Sequence, residues 1–323
     1  MVEKSRWETQ SDPPGSGASG MDKGRALKSI VGLQSEIPED AFTAATLGVK
    51  RSGSGVVIRD SGLVLTIGYL ITEAESVWLT RPDGRLIPGH ALAIDAETGL
   101  GLVQALDRLD LPALELGRSS EAKLGDPVIV AAGGRNQSVR AAIVGKHEFA
   151  GYWEYLLEEA LFTAPAHAFW GGAGVIAADG KLIGVGSLHI EQSAEQGQQG
   201  DVNMIVPIDL LRPILDDLIK FGRVDRRPRP WLGVYSTESE GNIVVVGVAE
   251  RGPAAAAGLR RGDIISAVGA SSVASLADFY RKVWRCGPAG VEVPIEVVRD
   301  ERRVGLRVHS ADRAAHYKKP RLH

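Results

Sequence analysis

One cysteine in 323 residues excludes an internal disulfide, so no covalent staple holds this fold; Cys286 falls in a helical pattern beside Trp284 and reads as packing. Long hydrophobic runs are missing too. Charges or glycines interrupt every apolar stretch, 204–219 included, before the roughly 20 residues that a membrane-spanning helix needs. Charge of one sign is also lacking: Lys+Arg 37 against Asp+Glu 40 leaves a formal −3, which offers no electrostatic case for nucleic acid or acidic lipid as the main partner. The first thirty residues carry no apolar core of the kind a secretory signal requires. The expectation is cytoplasmic residence if Met1 is the natural start, and periplasmic residence if a signal segment has been removed.

The chain that remains is rich in short apolar runs. SGVVIRD, GLVLTIG, SVWLTRPDG, DPVIVAAGG, RAAIVG, KLIGVGS and NMIVPI are alternating or β-branched segments separated by turn residues, a spacing that predicts an antiparallel barrel or sandwich over residues 25–222. Pro82-Asp83-Gly84 and Asp179-Gly180 predict hairpin tips, since Asp initiates a turn and Gly accepts positive φ. The segment YWEYLLEEAL, from Tyr152 to Leu161, reads as helical. So does 208–222, which stops at Gly222 after Pro213 disturbs its first turns. Residues 1–24, with a Pro/Gly/Ser run at 13–20, read as a flexible N-terminus or linker, 223–228 as an interdomain linker, 229–311 as a second domain, and 312–323 as a solvated basic tail.

Several runs occur together in a known order. Gly53-Ser54-Gly55-Val56-Val57-Ile58 is similar to the glycine-flanked opening strand of HtrA/Deg-type trypsin-like serine proteases, and Leu65-Thr66-Ile67-Gly68-Tyr69-Leu70-Ile71 resembles the strand end where that family writes Thr-Asn-x-His-Val-Val. Asp95 to Leu102 resembles the family's Asp-Pro-x-Thr-Asp-Leu-Ala-Val, residues 163–187 keep the layout around the nucleophile, and Met204 to Leu211 resembles the strand-to-helix exit. The resemblance implies a mainly β protein: a trypsin-like double six-stranded β-barrel followed by an α+β PDZ domain, and trimers. It also puts Tyr69, Gly99 and Gly171 at the positions of base, orienting carboxylate and nucleophile.

Those three substitutions remove the chemistry. A serine hydroxyl attacks only when a positioned imidazole takes its proton and a carboxylate fixes the tautomer of that imidazole. Glycine has no attacking atom, and a phenol near pKa 10 is almost wholly protonated at neutral pH. Loss of such a triad lowers turnover by about 10⁶, roughly 8 kcal/mol of barrier. The former oxyanion loop, Ala168-Phe169-Trp170-Gly171, carries two large aromatics, expected to pack against Tyr152, Trp153 and Tyr155 or to fill the old cleft. Alternatives are a hydrolase using displaced serines (Ser52, Ser54, Ser187) and a metal- or small-ligand-binding module on the same fold. His90, His147, His167 and His189 show no ligand spacing, and no metal or cofactor is expected. Gly171-Gly172-Ala173-Gly174 lacks the context of a dinucleotide site.

The second domain has a positive signal. Arg229-Pro230-Trp231-Leu232-Gly233-Val234 resembles the carboxylate-binding loop and first strand of HtrA-type PDZ domains, and Gly252 to Ile265 is similar to their short helix and turn. Residues 254–258 read as a short alanine helix, and Ser275 with Asp278 as a capping box for a helix ending at Gly287. Such a domain adds an extended peptide as a strand. The expected groove uses the N–H groups of Leu232 and Gly233, the edge from Val234, charge from Arg229, apolar surface at Trp231, and a helical wall of Leu276, Tyr280 and Val283, a stripe that equally suits the domain core. The expected partners are protein or peptide C-termini, bound by a catalytically silent scaffold or chaperone-like adaptor.

Overall fold

Alternation of apolar and polar residues translates directly into closed sheets. The computed structural model describes residues 23–134, 138–191 and 200–318, so the reading of a flexible 1–24 and of a tail beyond 318 lies almost wholly outside the described residues. After a short helix α1 (Lys23–Lys28), strands β1 (Ile30–Glu36), β2 (Lys50–Arg59), β3 (Leu63–Ile67), β4 (Ser76–Thr80), β5 (Leu86–Ile94) and β6 (Leu100–Ala105) close a barrel in the order β1-β2-β3-β6-β5-β4, with α2 (Ala44–Leu47) between β1 and β2. A second barrel, β10-β11-β12-β9-β8-β7, is built from β7 (Pro127–Ala131), β8 (Ser138–Gly151), β9 (Tyr155–Ala164), β10 (Gly174–Ala177), β11 (Leu182–Ile190) and β12 (Val202–Pro207). Closure removes the free edges that open sheets must protect.

Leu33, Val56, Leu65, Leu102 and Met204 belong to one apolar cluster that runs between the barrels, and Val130, Leu161, Val175 and Ile205 fill the second barrel. Full burial of each such side chain contributes about 1.5–3 kcal/mol. Both expected hairpin tips lie where the turn residues put them, between β4 and β5 and between β10 and β11. The 208–222 stretch splits around Pro213 into a 3₁₀ turn, Ile208–Leu210, and α3 (Leu215–Phe221), capped by Gly222 in the left-handed region.

The helical reading of YWEYLLEEAL is wrong: Tyr155–Ala164 is β9, paired along its length with β8, and 152–154 is the hairpin tip between them. Leu, Glu and Ala are good helix formers, but the ladder to β8 and burial of Tyr155, Leu156, Leu157 and Leu161 override a propensity worth tenths of a kcal/mol per residue.

The C-terminal sheet runs β13 (Val234–Ser239), β14 (Asn242–Val248), β15 (Ile264–Val268), β17 (Glu292–Arg299), β18 (Arg302–His309), with β16 (Ser271–Ser272) on β15. α4 (Pro253–Ala256) is the expected alanine helix. In α5 (Leu276–Arg285) the Ser275 side chain accepts from Asp278 N–H, while the Asp278 carboxylate takes the N–H of Ala274, one residue earlier than in a reciprocal capping box. Residues 312–318 are not a solvated tail. A 3₁₀ turn, Arg313–His316, lays His316 on Trp231 at 4.8 Å between ring centroids, and Lys318 N–H donates to Glu73 at 2.7 Å.

Candidate functional site

Three chain segments meet in the cleft between the barrels. The 3₁₀ turn after β3 raises Tyr69, the β5–β6 turn ends in Gly99, and the loop before β10 presents Gly171. Backbone bonds tie them together: Gly68 N–H to Gly99 O at 2.7 Å, and Ser54 N–H to Gly171 O at 2.8 Å. Gly172 cannot be anything else, because at φ 75° a β-carbon there would lie 2.0 Å from Ser54 O.

Tyr69, Gly99 and Gly171 therefore do converge. A β-carbon at 171 would stand 2.9 Å from the Tyr69 hydroxyl, which donates instead to Ser187 O at 3.0 Å. Burial pushes the Tyr69 phenol above its ordinary value, away from what a general base needs. At 99 a β-carbon would meet the Tyr155 hydroxyl at 2.9 Å, and that hydroxyl donates to Thr98 O at 2.7 Å. Sequence reading missed Tyr155 here because it mistook the strand for a helix.

Phe169 N–H, two residues before Gly171, donates to His167 Nδ1 at 2.9 Å. The Phe169 side chain is 59% exposed, and Trp170 lies against His189 with ring centroids 5.2 Å apart. Neither packs on Tyr152, Trp153 or Tyr155 as expected, since those rings form their own cluster at the β8–β9 tip, with Trp153 stacked on Tyr155 at 5.4 Å. The open cleft, about 420 Å³, is lined by Ser52, Ser54, Tyr69, Phe169, Trp170 and Gly171. Ser54 is buried and its Oγ accepts from Gly133 N–H at 2.9 Å. Among the described residues no group of three His, Cys, Asp or Glu is arranged to hold a metal; His147 stacks on Phe162 and His189 bonds Asp201.

The second constellation is the loop Trp231–Val234. Gly233, at φ 76°, turns three successive N–H groups toward one point. They converge on the carboxylate of Glu154: Leu232 N–H to Oε2 at 2.9 Å, Gly233 N–H to Oε1 at 2.7 Å and Val234 N–H to Oε1 at 2.9 Å. Burial raises the Glu154 carboxyl to about 7, against the lowering effect of these donors and of the Arg313 charge. On the β13 edge, Ser236 N–H donates to Tyr152 O at 2.9 Å. From α5, the Tyr280 hydroxyl donates to Gly151 O at 2.7 Å and accepts Glu154 N–H at 3.2 Å.

Leu276, Tyr280 and Val283 are all buried in one apolar cluster that includes Leu156 of β9. Arg229 does not serve the carboxylate: it pairs with Glu97 at 2.9 Å and lies over the Trp284 ring at 4.3 Å, and Arg313 faces Glu154 instead. Trp231 is buried, edge-on to Phe42 at 5.8 Å.

Two closed antiparallel barrels meeting at a cleft, followed by a sheet with a glycine-turned N–H loop beside a helix, define a trypsin-like peptidase domain joined to a PDZ domain. Family models agree, matching a trypsin-like peptidase domain at 53–185 and a PDZ domain at 230–309. The chain is homologous to the HtrA-family proteases DegS and DegP. It is 26% identical over 278 residues to "Serine endoprotease DegS" of Escherichia coli K12, covering 81% of this chain and 77% of that protein. It is also 26% identical over 273 residues to "Probable periplasmic serine endoprotease DegP-like" of Pseudomonas fulva, covering 79% of this chain and 55% of the relative. Among solved structures, the fold is shared with the HtrA-type protease AlgW in complex with a decapeptide (TM-score 0.53, 23% identity, 93% of this chain and all of that one). A serine endoprotease of Yersinia pestis is likewise similar (TM-score 0.52, 21% identity, 91% and 99% covered).

Proposed function

We propose that this chain is a catalytically silent HtrA-type homologue that binds peptides or partner proteins. The observation that carries this reading is the occupancy of the triad geometry: Tyr69 stands at the base position with its proton committed to Ser187 O, Tyr155 takes the space of an orienting carboxylate at 99, and residue 171 has no side chain. No rate enhancement from a nucleophile–base pair is available to such a cleft. The chemistry of acyl transfer also needs donors aimed at the oxyanion, and Phe169 N–H is engaged by His167.

The PDZ unit, proposed to span 229–311 after a barrel unit of 25–222 and a 223–228 linker, supplies the binding function. Its loop N–H groups suit a carboxylate, its β13 edge suits strand addition, and its apolar cluster suits nonpolar C-terminal residues. Kinship with relatives named as periplasmic favours that compartment for this chain, and kinship with HtrA proteins favours trimers; an osmotic-shock fractionation and sedimentation equilibrium test the two.

The deciding experiment is active-site labelling. The purified protein is incubated with a fluorophosphonate probe and, separately, with casein, beside an active HtrA protease. Neither labelling nor casein loss is expected. Stoichiometric labelling of any serine, Ser52 in the cleft included, would establish an active hydrolase with displaced residues.

A further inference from the structure

We infer that the PDZ groove carries a built-in ligand: the β8–β9 hairpin tip, Tyr152-Trp153-Glu154, occupies it as a C-terminal peptide would, and an external peptide binds only by displacing Glu154. This rests on the reading of the second domain as a peptide binder.

The match is in register as well as in chemistry. The Glu154 carboxylate takes all three loop N–H groups, of Leu232, Gly233 and Val234, that a terminal carboxylate would use. Two residues earlier, Tyr152 O accepts from Ser236 N–H, two residues along the β13 edge from Val234, which is the rung an added strand would form. The Tyr280 hydroxyl then clasps the turn from the α5 side through Gly151 O and Glu154 N–H. Behind the tip, Leu156 enters the PDZ apolar cluster beside Leu232, Tyr280 and Val283, and Arg281 of α5 pairs with Glu148 and Glu158 on the two hairpin strands.

Glu154 sits at φ 58°, the left-handed conformation that closes the tight β8–β9 turn. A carboxylate side chain at the end of a rigid hairpin is an intramolecular competitor whose effective concentration no free peptide easily matches. Peptide affinity is reduced by the fraction of molecules with an open groove.

The test uses the full chain and two readouts. Hydrogen exchange follows the 231–236 amides, and fluorescence anisotropy follows a labelled decapeptide pool with free C-terminal Leu, Val or Phe. Glu154→Gly removes the carboxylate while suiting the positive φ, and Tyr280→Phe loosens the clasp with Glu154 in place. The amides should be protected in the parent protein and exchange faster in both variants, with peptide affinity rising tenfold or more in Glu154→Gly. Unprotected amides in the parent protein, or equal peptide affinity with and without Glu154, would overturn the internal ligand; in the second case peptide binding itself stands. Deprotection in Glu154→Gly with no peptide bound would sustain the internal ligand and remove the peptide-binding reading instead.

Discussion

The Tyr155 hydroxyl lies 2.9 Å from the point where a β-carbon on Gly99 would sit, so the space that a larger residue at 99 would need is taken by another side chain. The glycine at 99 is thus matched by the packing of β9, and placing a side chain there requires a change at 155 as well.

Gly171→Ser alone should remain unlabelled by fluorophosphonates. Its hydroxyl would lie beside the Tyr69 phenol, which burial holds protonated and which is a poor proton acceptor in place of an imidazole. Labelling of that single variant would reveal an activating group elsewhere in the cleft.

Gly99→Asp should destabilise the barrel by about 1–3 kcal/mol, because φ 77° strains a non-glycine residue and the new β-carbon collides with Tyr155. The midpoint of a urea transition reports it. A Gly99→Asp/Tyr155→Leu double variant should recover part of the loss, and failure to recover any would mean that the strain is all in the backbone.

Gly233→Val should unfold the carboxylate loop rather than selectively block a peptide. The added β-carbon would meet the Trp231 ring at 3.1 Å and Ala249 at 3.2 Å, and a β-branched residue at φ 76° is strained even in open space. A loss of about 2 kcal/mol or more in chemical denaturation is expected. Unchanged stability with lost peptide binding would mean that position 233 only makes room for an incoming strand.

Stability should fall as pH rises through Glu154's range. Its folded carboxyl lies near 7 against 4.5 for the ordinary group, so the native state holds the extra proton, and the stabilisation present below 4.5 is lost between 4.5 and 7. The groups facing it are the three loop N–H groups, the Tyr280 hydroxyl and Arg313. The change amounts to about 3 kcal/mol of unfolding free energy, read from denaturant titrations taken across that window. Glu154→Gly should flatten it, and an equal slope in the variant would assign the pH dependence to other groups.

Arg299→Met should weaken the PDZ unit by about 3–5 kcal/mol, because it leaves the buried Asp263 carboxylate without the guanidinium that now meets it at 2.6 and 2.7 Å. Asp263→Asn combined with Arg299→Met should be milder than the single change. A double variant as damaged as the sum of the singles would mean the pair is not coupled.

Alternating apolar residues determined the strands, since a period of two has one way to bury its face, and turn pairs such as Asp83-Gly84 marked where those strands reverse. The trypsin-like and PDZ fold was likewise legible, because motif order along a chain survives folding. The second domain's loop and short helix could be read for the same reason.

Tertiary structure alone decided the β8–β9 hairpin and what its tip does. Local propensity favours a helix for Leu156 to Leu161, and only pairing with β8 outweighs it. A glutamate in a turn reads as solvated. Glu154 is instead buried, because donors 78 to 80 residues farther along the chain close around its carboxylate, and no local pattern encodes a contact of that separation.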